Sequence, residues 1–240
     1  MNAAAKATAI IAAAGSGERL GATAPKALVD LAGRPLVAWS IDALDAAESV
    51  TAIVVAAPAG READLEALAP AGTAMSVVAG GETRSESVQA ALAATDAELV
   101  AIHDAARPLL TAALVDELLA KLVSHPDASG VIAAAPILDT VKRAREPRTE
   151  RGEFQPGTPT IAESESRDHL WAAQTPQAFR TSALRDAYGD DEQRVRGATD
   201  EAMLVERAGG KVLIHPAPAA NLKVTTAEDL RVVELLLGDR

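Results

Sequence analysis

The stretch Thr8-Ala-Ile-Ile-Ala-Ala-Ala-Gly-Ser-Gly-Glu-Arg-Leu-Gly-Ala-Thr-Ala-Pro-Lys26 opens as an apolar run. From Thr8 to Ala14 it has the length of one buried strand and is far too short to cross a membrane. It breaks at Gly15-Ser16-Gly17, and two cations follow, Arg19 and Lys26. Glycines after a buried strand let the chain turn tightly and aim several N–H groups into one concavity, which suits a phosphate. Pro25 lacks an N–H and restricts the residue before it, so Lys26 is expected on a defined turn.

Three readings compete for this loop. A P-loop requires Gly-x-x-x-x-Gly-Lys-Ser/Thr, and no Lys-Ser or Lys-Thr follows these glycines. A dinucleotide fingerprint requires Gly-x-Gly-x-x-Gly, but Gly21 stands one residue late, and no clear acidic residue ends a second strand about 20 residues on. An ordinary strand-to-helix turn explains the glycines alone, though not the paired cations. A triphosphate cradle of the nucleotidyltransferase kind accounts for both.

The chain of 240 residues is long enough for one large domain or two small ones with a substantial core. Hydrophobic residues make up 48% but aromatics only 2%, so Val, Leu, Ile and Ala must build that core. Cysteine is absent, which excludes disulfides and thiolate chemistry. No run of about 18 apolar residues and no signal peptide is present, and a cytoplasmic location is expected. The net charge of −11 argues against a general nucleic-acid binder. It does not argue against small anionic substrates, because a few clustered cations reverse the local potential.

Outward from the loop, short apolar runs alternate with helical periods. Strands are expected at Ala52–Ala57, Met75–Ala79, Leu99–Ile102, Gly130–Ala135 and Lys211–Ile214. Helices are expected at 35–47, Arg61–Ala69, Thr83–Ala94, Ala112–Leu122, Ala178–Tyr188, Thr199–Ala208 and, capped by Thr226, Ala227–Leu237. This alternation predicts an α/β fold: a mostly parallel twisted sheet with helices on both faces. Between Pro136 and Leu170 the pattern fails, and Ala144–Pro159 has no period. So long a stretch inside a compact domain is either disordered or an arm with its own role, with Ile137–Arg143 pairing Thr160–Arg167. The expectation is a single domain over 1–240 with 136–168 protruding.

In an open parallel sheet, ligands bind beyond the carboxyl ends of the strands. Four polar clusters fall there: Gly15–Lys26, Gly80–Ser87, Asp104–Arg107 and Thr175. Each has a plain alternative: Gly80-Gly81 as a turn, Asp104 as a helix cap, Arg107 as its ion-pair partner, Thr175 as a turn residue before Pro176, and Lys223 as a solvated surface lysine. His103 and His215 are assigned no role. Together the clusters form a cationic, amide-rich set without a nucleophilic Cys, a His–Asp pair or a metal-ligand spacing. An alcohol or water nucleophile would call for a general base. A substrate phosphate is already anionic and needs only to be held in line while developing charge is neutralised.

The blocks Ala12-Ala-Ala-Gly-Ser-Gly-x-Arg19, Pro25-Lys26, Gly80-Gly-x-x-Arg-x-x-Ser87-Val, His103-Asp-Ala-Ala-Arg-Pro108 and Asp139-Thr-Val-Lys142 are followed in order by Leu170-Trp-x-x-Gln-Thr-Pro-Gln177, Thr199-Asp-Glu and Asn221-Leu-Lys-Val-Thr225. Over nearly the whole chain they resemble the 2-C-methyl-D-erythritol 4-phosphate cytidylyltransferases of the non-mevalonate isoprenoid pathway. The resemblance implies a Rossmann-like nucleotidyltransferase fold, a homodimer joined by extended arms, and a Mg²⁺-dependent reaction of CTP with a phosphorylated polyol. It implies that Arg19, Lys26 and Lys223 are catalytic. Ala13, Ala14, Gly15, Ser16, Gly17, Gly81, Glu82 and Ser87 would bind the nucleotide. Asp104, Ala105, Arg107, Thr140, Arg167 and Thr175 would bind the acceptor, with Thr140 and Arg167 reaching the site of the partner subunit. Mg²⁺ would be held mainly through the CTP phosphates, and neither nucleic acid nor membrane is an expected partner.

A sister cytidylyltransferase acting on ribitol 5-phosphate shares the glycine loop, the Asp-Ala-Ala-Arg block and the lysines. The Thr-Pro-Gln block and the Asp-Thr-Val-Lys arm favour methylerythritol phosphate. A non-catalytic nucleotide-binding module would have no reason to bring the distant Lys223 to the phosphates, and a hydride-transferring oxidoreductase would bind NADPH in place of CTP.

Overall fold

A computed structural model describes residues 6–15, 17, 20, 24–145, 157–189, 195 and 197–238. Strand β1 (Ala7–Ala12) is an inner strand of a seven-stranded sheet. The chain continues through α1 (Leu36–Asp45), β2 (Val50–Ala57), α2 (Glu62–Glu66), β3 (Ala74–Ala79), α3 (Arg84–Ala93), β4 (Leu99–Asp104), α4 (Ala112–Ser124) and β5 (Gly130–Pro136). A small hairpin of β6 (Lys142–Arg145) and β7 (Thr160–Ser164) follows, then β8 (Trp171–Arg180), α5 (Thr181–Tyr188), α6 (Glu201–Arg207), β9 (Val212–Pro216) and α7 (Ala227–Gly238). The strand order is β9-β5-β8-β4-β1-β2-β3. Only β8 opposes its neighbours, pairing antiparallel with both β4 and β5. Among the described residues, no helix is long and apolar enough to cross a membrane.

The apolar run of β1 is continuous because both faces of the sheet are covered. Ala7, Ala9 and Ile11 face one layer, with Val37 and Ile41 of α1 and Leu114, Leu118 and Leu122 of α4. Ile10 faces the other, with Val88 and Leu92 of α3, Leu184 and Tyr188 of α5, and Leu204 of α6. The period of two along the strand thus feeds two cores from one sequence. Helix ends follow the local chemistry. The Thr83 and Glu86 side chains and backbone N–H groups form a reciprocal capping box at the start of α3, and Thr111 caps α4 by accepting from the Leu114 N–H.

The expected helix at Ala178–Tyr188 begins too early. Ala178, Phe179 and Arg180 close strand β8, and the helix starts at Thr181. Pro176 hides this strand in the sequence, since a proline demotes a central strand. Here it sits in an irregularity where the register with β5 shifts between Ala173 and Gln177, so its missing N–H interrupts no ladder bond. The cap of α6 is Asp200, which accepts from the Met203 N–H, and not the expected Thr199. The arm hairpin also pairs further along than expected, with Lys142 opposite Ser164 and Arg145 opposite Thr160. Much of the aperiodic middle of the arm, residues 146–156, lies outside the described residues.

Candidate active site

A cleft of about 640 Å³ opens beyond the carboxyl ends of β1 and β4. It is lined by Ala13, Ala14, Gly15, Gly17, Lys26, Gly81, Glu82, Ser87, Asp104, Ala105 and Lys223, all expected from the sequence. Arg84, Thr83 and Thr225 line it too. Ser16 and Arg19, both expected here, lie outside the described residues.

The glycine loop is shaped by close approach. Gly17 has φ +77°, and a Cβ built on it would stand 2.8 Å from Lys26 Cβ. Any side chain there would be strained and would push the lysine aside. The Lys26 N–H donates to Gly15 O at 3.3 Å, which folds the loop back on itself. Lys26 then opens a short 3-10 turn, Lys26–Leu28, entered through Pro25. On the facing wall, a Cβ on Gly80 would lie 2.5 Å from Ala14 Cβ and 2.9 Å from Ser87 Oγ. The bare backbone is what lets the two loops meet. Ser87 is buried, accepting from the Gly81 N–H at 3.1 Å and donating to Thr83 O at 2.8 Å, so it frames the wall by fixing this turn.

Asp104, the last residue of β4, is the hub of the charged part of the cleft. Its Oδ1 accepts from Arg84 Nε at 2.7 Å and its Oδ2 from Lys223 Nζ at 2.7 Å. Burial alone would raise this carboxyl, but the charges of Arg84 and Lys223 outweigh it and hold the group well below the usual carboxylate range. Lys223 arrives from the segment before α7, which is tied to the loop after β4 by a Val224 N–H bond to Ala106 O at 2.8 Å. Thr225 and Thr226 donate their N–H groups to Asp229 Oδ2, both at 2.8 Å, and so fix the entry to α7 just beyond the lysine.

Arg107 and Thr175 are not brought to the cleft surface. Both are buried behind Asp104, 9% and 4% exposed. Arg107 Nη1 donates to Asn221 O at 2.7 Å, and Asn221 Nδ2 donates to Thr175 O at 2.8 Å and to Gln174 Oε1 at 2.9 Å. Thr175 Oγ1 accepts from the Asp104 N–H at 3.1 Å and lies 3.0 Å from His103 Nδ1. These residues hold the Asp104 and Lys223 segments together from behind. Thr140 and Arg167 sit on the arm, exposed and away from the cleft of their own chain.

Two residues of this network were given no role on sequence grounds. Arg84 stood inside the Gly-Gly-x-x-Arg block, and its position on the first turn of α3 is what turns it onto Asp104. His103 is fully buried with Nε2 at 3.1 Å from Arg107 O. Since Thr175 Oγ1 accepts the Asp104 N–H, its single proton is free to go to His103 Nδ1, which leaves Nε2 protonated toward Arg107 O. Burial pushes this imidazole down to about 4 from an ordinary 6.5, so it is neutral in the fold. A group whose folded pKa is depressed stabilises fully above its unfolded value and loses that stability as pH falls toward the folded one. We expect the unfolding free energy to drop by roughly 3 kcal/mol between pH 6.5 and about 4. Urea titrations across this window check it: a His103→Asn variant should lose most of that slope, and an unchanged slope would contradict the assignment.

The family model "IspD: 2-C-methyl-D-erythritol 4-phosphate cytidylyltransferase" matches residues 7–239. The chain belongs to this family. The IspD protein of Prochlorococcus marinus (strain MIT 9313), a "2-C-methyl-D-erythritol 4-phosphate cytidylyltransferase", is 40% identical over 234 residues, covering 96% of this chain and 98% of its own. The protein of the same description from Dechloromonas aromatica (strain RCB) is 39% identical over 239 residues, covering 97% of each chain. Among solved structures, the IspD enzyme of Thermus thermophilus superposes with a TM-score of 0.72 at 28% identity, over 96% of this chain and 98% of its own. The 4-diphosphocytidyl-2C-methyl-D-erythritol synthase of Anaerococcus prevotii reaches 0.78 at 25% identity, over 98% and 100%. The seven-stranded sheet with one opposed strand is therefore the Rossmann-like nucleotidyltransferase fold of the IspD family.

Proposed function

We propose that this chain transfers the cytidylyl group of CTP to the phosphate of 2-C-methyl-D-erythritol 4-phosphate. The products are 4-diphosphocytidyl-2-C-methyl-D-erythritol and pyrophosphate, and the reaction serves non-mevalonate isoprenoid synthesis. The observation that carries this reading is the IspD family match over residues 7–239. The cleft supports it chemically: glycine amides, Lys26, Lys223 and Arg84 line one space large enough for a nucleotide.

In this reading the attacking group is the acceptor's phosphate oxygen. It forms a P–O bond to the α-phosphorus of CTP as the bond to the departing pyrophosphate breaks. No histidine is among the described residues that line the cleft, and both Asp104 oxygens are engaged by cations, so a base is poorly provided for. None is needed, because the nucleophile is already ionised. Lys26, with Arg19, neutralises the triphosphate and the charge that builds on the transferring phosphorus, and Lys223 does so from the segment before α7. Ala13, Ala14, Gly81 and Glu82 border the cytidine, chiefly through backbone groups. Asp104 retains lone pairs beyond its two ion pairs and can accept from an acceptor hydroxyl. Arg107 and Thr175 act on the acceptor by holding Asp104 in place.

Mg²⁺ suits the bound triphosphate better than any protein cage here. Asp104 is committed to Arg84 and Lys223, and no three His, Cys, Asp or Glu side chains come together among the described residues. Held by phosphate oxygens, the ion supplies charge neutralisation. These small ionic substrates fit a cytoplasmic enzyme.

The arm is read as a dimerisation element that carries Thr140 and Arg167 to the partner's cleft. Leu138 and Ile161 are 73% and 68% exposed on it, and Trp171 is 37% exposed where it rejoins the sheet. Apolar side chains so placed call for a cover. Sedimentation velocity should give a dimer that Ile161→Asp weakens; a wild-type monomer at all concentrations would contradict this.

Pyrophosphate release with CTP and Mg²⁺, run in parallel with the two acceptors, tests the function. Release with 2-C-methyl-D-erythritol 4-phosphate alone is expected. Release with ribitol 5-phosphate alone would keep the chemistry and overturn the substrate. CTP binding without release in either case would overturn the enzyme reading.

A further inference from the structure

A line of charges runs from the core to the cleft. Glu201 opens α6 and is 0% exposed, yet both of its oxygens accept from Arg84 Nη1, at 2.8 and 2.6 Å. The same guanidinium turns its Nε to Asp104 Oδ1 at 2.7 Å, and Asp104 Oδ2 accepts from Lys223 Nζ at 2.7 Å. Burial pushes the Glu201 carboxyl up, but the Arg84 guanidinium against both of its oxygens opposes that, and with the carboxylate ionised the signs alternate along the line: negative, positive, negative, positive. One guanidinium is therefore shared between two carboxylates. The inner three groups keep one unit of negative charge, and Lys223, its side chain 43% exposed at the cleft, is the cation that balances it.

We propose that Glu201 is a positioning residue for the transfer reaction: through Arg84 and Asp104 it fixes where Lys223 holds its ammonium group, without touching substrate itself. The proposal rests on the reading that Lys223 faces the transferring phosphate. Three observations bear on it. A fully buried carboxylate is costly unless paired, and its neighbours Ala202, Leu204 and Val205 are buried and apolar, so a Leu at 201 would suit the helix better if packing were all that mattered. An arginine fork serves two carboxylates from different elements in a fixed planar geometry, which the compact ammonium of a lysine does not impose. Finally, Arg84 Nη2 is buried with no hydrogen-bond partner among the described residues, and the hydrogen bonds that orient the guanidinium there run to Glu201 and Asp104. Tyr188 Oη, 3.3 Å from Glu201 Oε1 and 3.2 Å from Ser85 O, fixes the inner end.

Removing the charge at 201 without changing its shape should let Arg84 satisfy Asp104 alone, and Lys223 would lose the net negative charge that holds it. The test is a double-mutant cycle on kcat, using wild type, Glu201→Gln, Lys223→Met and the pair, in single-turnover pyrophosphate release where activity is low. Glu201→Gln should lower kcat about tenfold, equivalent to about 1.4 kcal/mol, and leave the KM for CTP within about twofold. In the Lys223→Met background the same change should cost less than about twofold. A glutamate that only stabilises the fold would cost the same in both backgrounds, and equal losses overturn the proposal. Should Glu201→Gln fail to fold, Arg84→Lys carries the same cycle, since it keeps the cation and loses the fork; equal losses there overturn the proposal as well. Near-normal kcat in Lys223→Met alone would instead remove the reading of Lys223, and the proposal with it. Collapse in Lys223→Met with no loss in Glu201→Gln removes the proposal only.

Discussion

A Lys26→Ala variant is expected to release pyrophosphate about 100- to 1,000-fold more slowly than the wild type, the usual cost of deleting one preorganised contact to transition-state charge. The fold should be spared. The turn that carries Lys26 is held by backbone bonds, Leu28 N–H to Pro25 O at 2.9 Å and Val29 N–H to Lys26 O at 3.2 Å, which an alanine keeps. Its buried anchor is the neighbouring Ala27. On the outer side the lysine's charge lies near Asp229, but that carboxylate is already held by the Thr225 and Thr226 N–H groups and does not depend on it. Loss of turnover with an unchanged melting curve is the signature sought. Turnover near the wild-type level would contradict the assignment of Lys26 to the transferring phosphate.

Lys223→Met should fall by a comparable factor, about 100-fold or more, for a partly different reason. The methionine keeps the apolar stem and removes the ammonium, which deletes a cation that lines the cleft with Lys26. It also leaves Arg84 as the one partner shared by Asp104 and Glu201. The Asp104 carboxyl should therefore rise toward its ordinary range, since one of the two charges that hold it down is gone. Stability should change modestly, because the Lys223 side chain is 43% exposed and its ion pair is screened by solvent. Steady-state kinetics beside thermal unfolding separate the two effects. A large loss of stability with kcat unchanged would make Lys223 a structural lysine.

Most of the fold was legible because its signals are local. The apolar runs of β1, β2 and β4 are buried on both faces, so they read as unbroken strands. Thr226 marks the start of the last helix through its own side chain, which accepts from the Asp229 N–H. Strand β8 was not legible, since Pro176 argues against it and its partners β4 and β5 are distant in sequence. The cleft was legible where glycines and cations cluster in one loop, and the chemistry of Gly17 and Lys26 follows from neighbours in the chain. What lay hidden was the second layer. Glu201, Arg84 and Asp104 are drawn together by α6, α3 and β4, with paired residues up to 117 positions apart, and no local pattern announces an ion pair of that span. His103 was similarly opaque, because its role as a neutral spacer between Thr175 and Arg107 depends on complete burial.

In the proposed reaction a phosphate oxygen is the nucleophile and attacks without a base. The most direct measurement uses 2-C-methyl-D-erythritol 4-phosphate with ¹⁸O in the non-bridging oxygens of its phosphate, and ³¹P NMR of the product formed with CTP. The expected product carries ¹⁸O in the bridge between its two phosphorus atoms, and the released pyrophosphate carries none. A product whose label stays in an intact terminal phosphate monoester would show that a hydroxyl attacked instead, and would contradict the account.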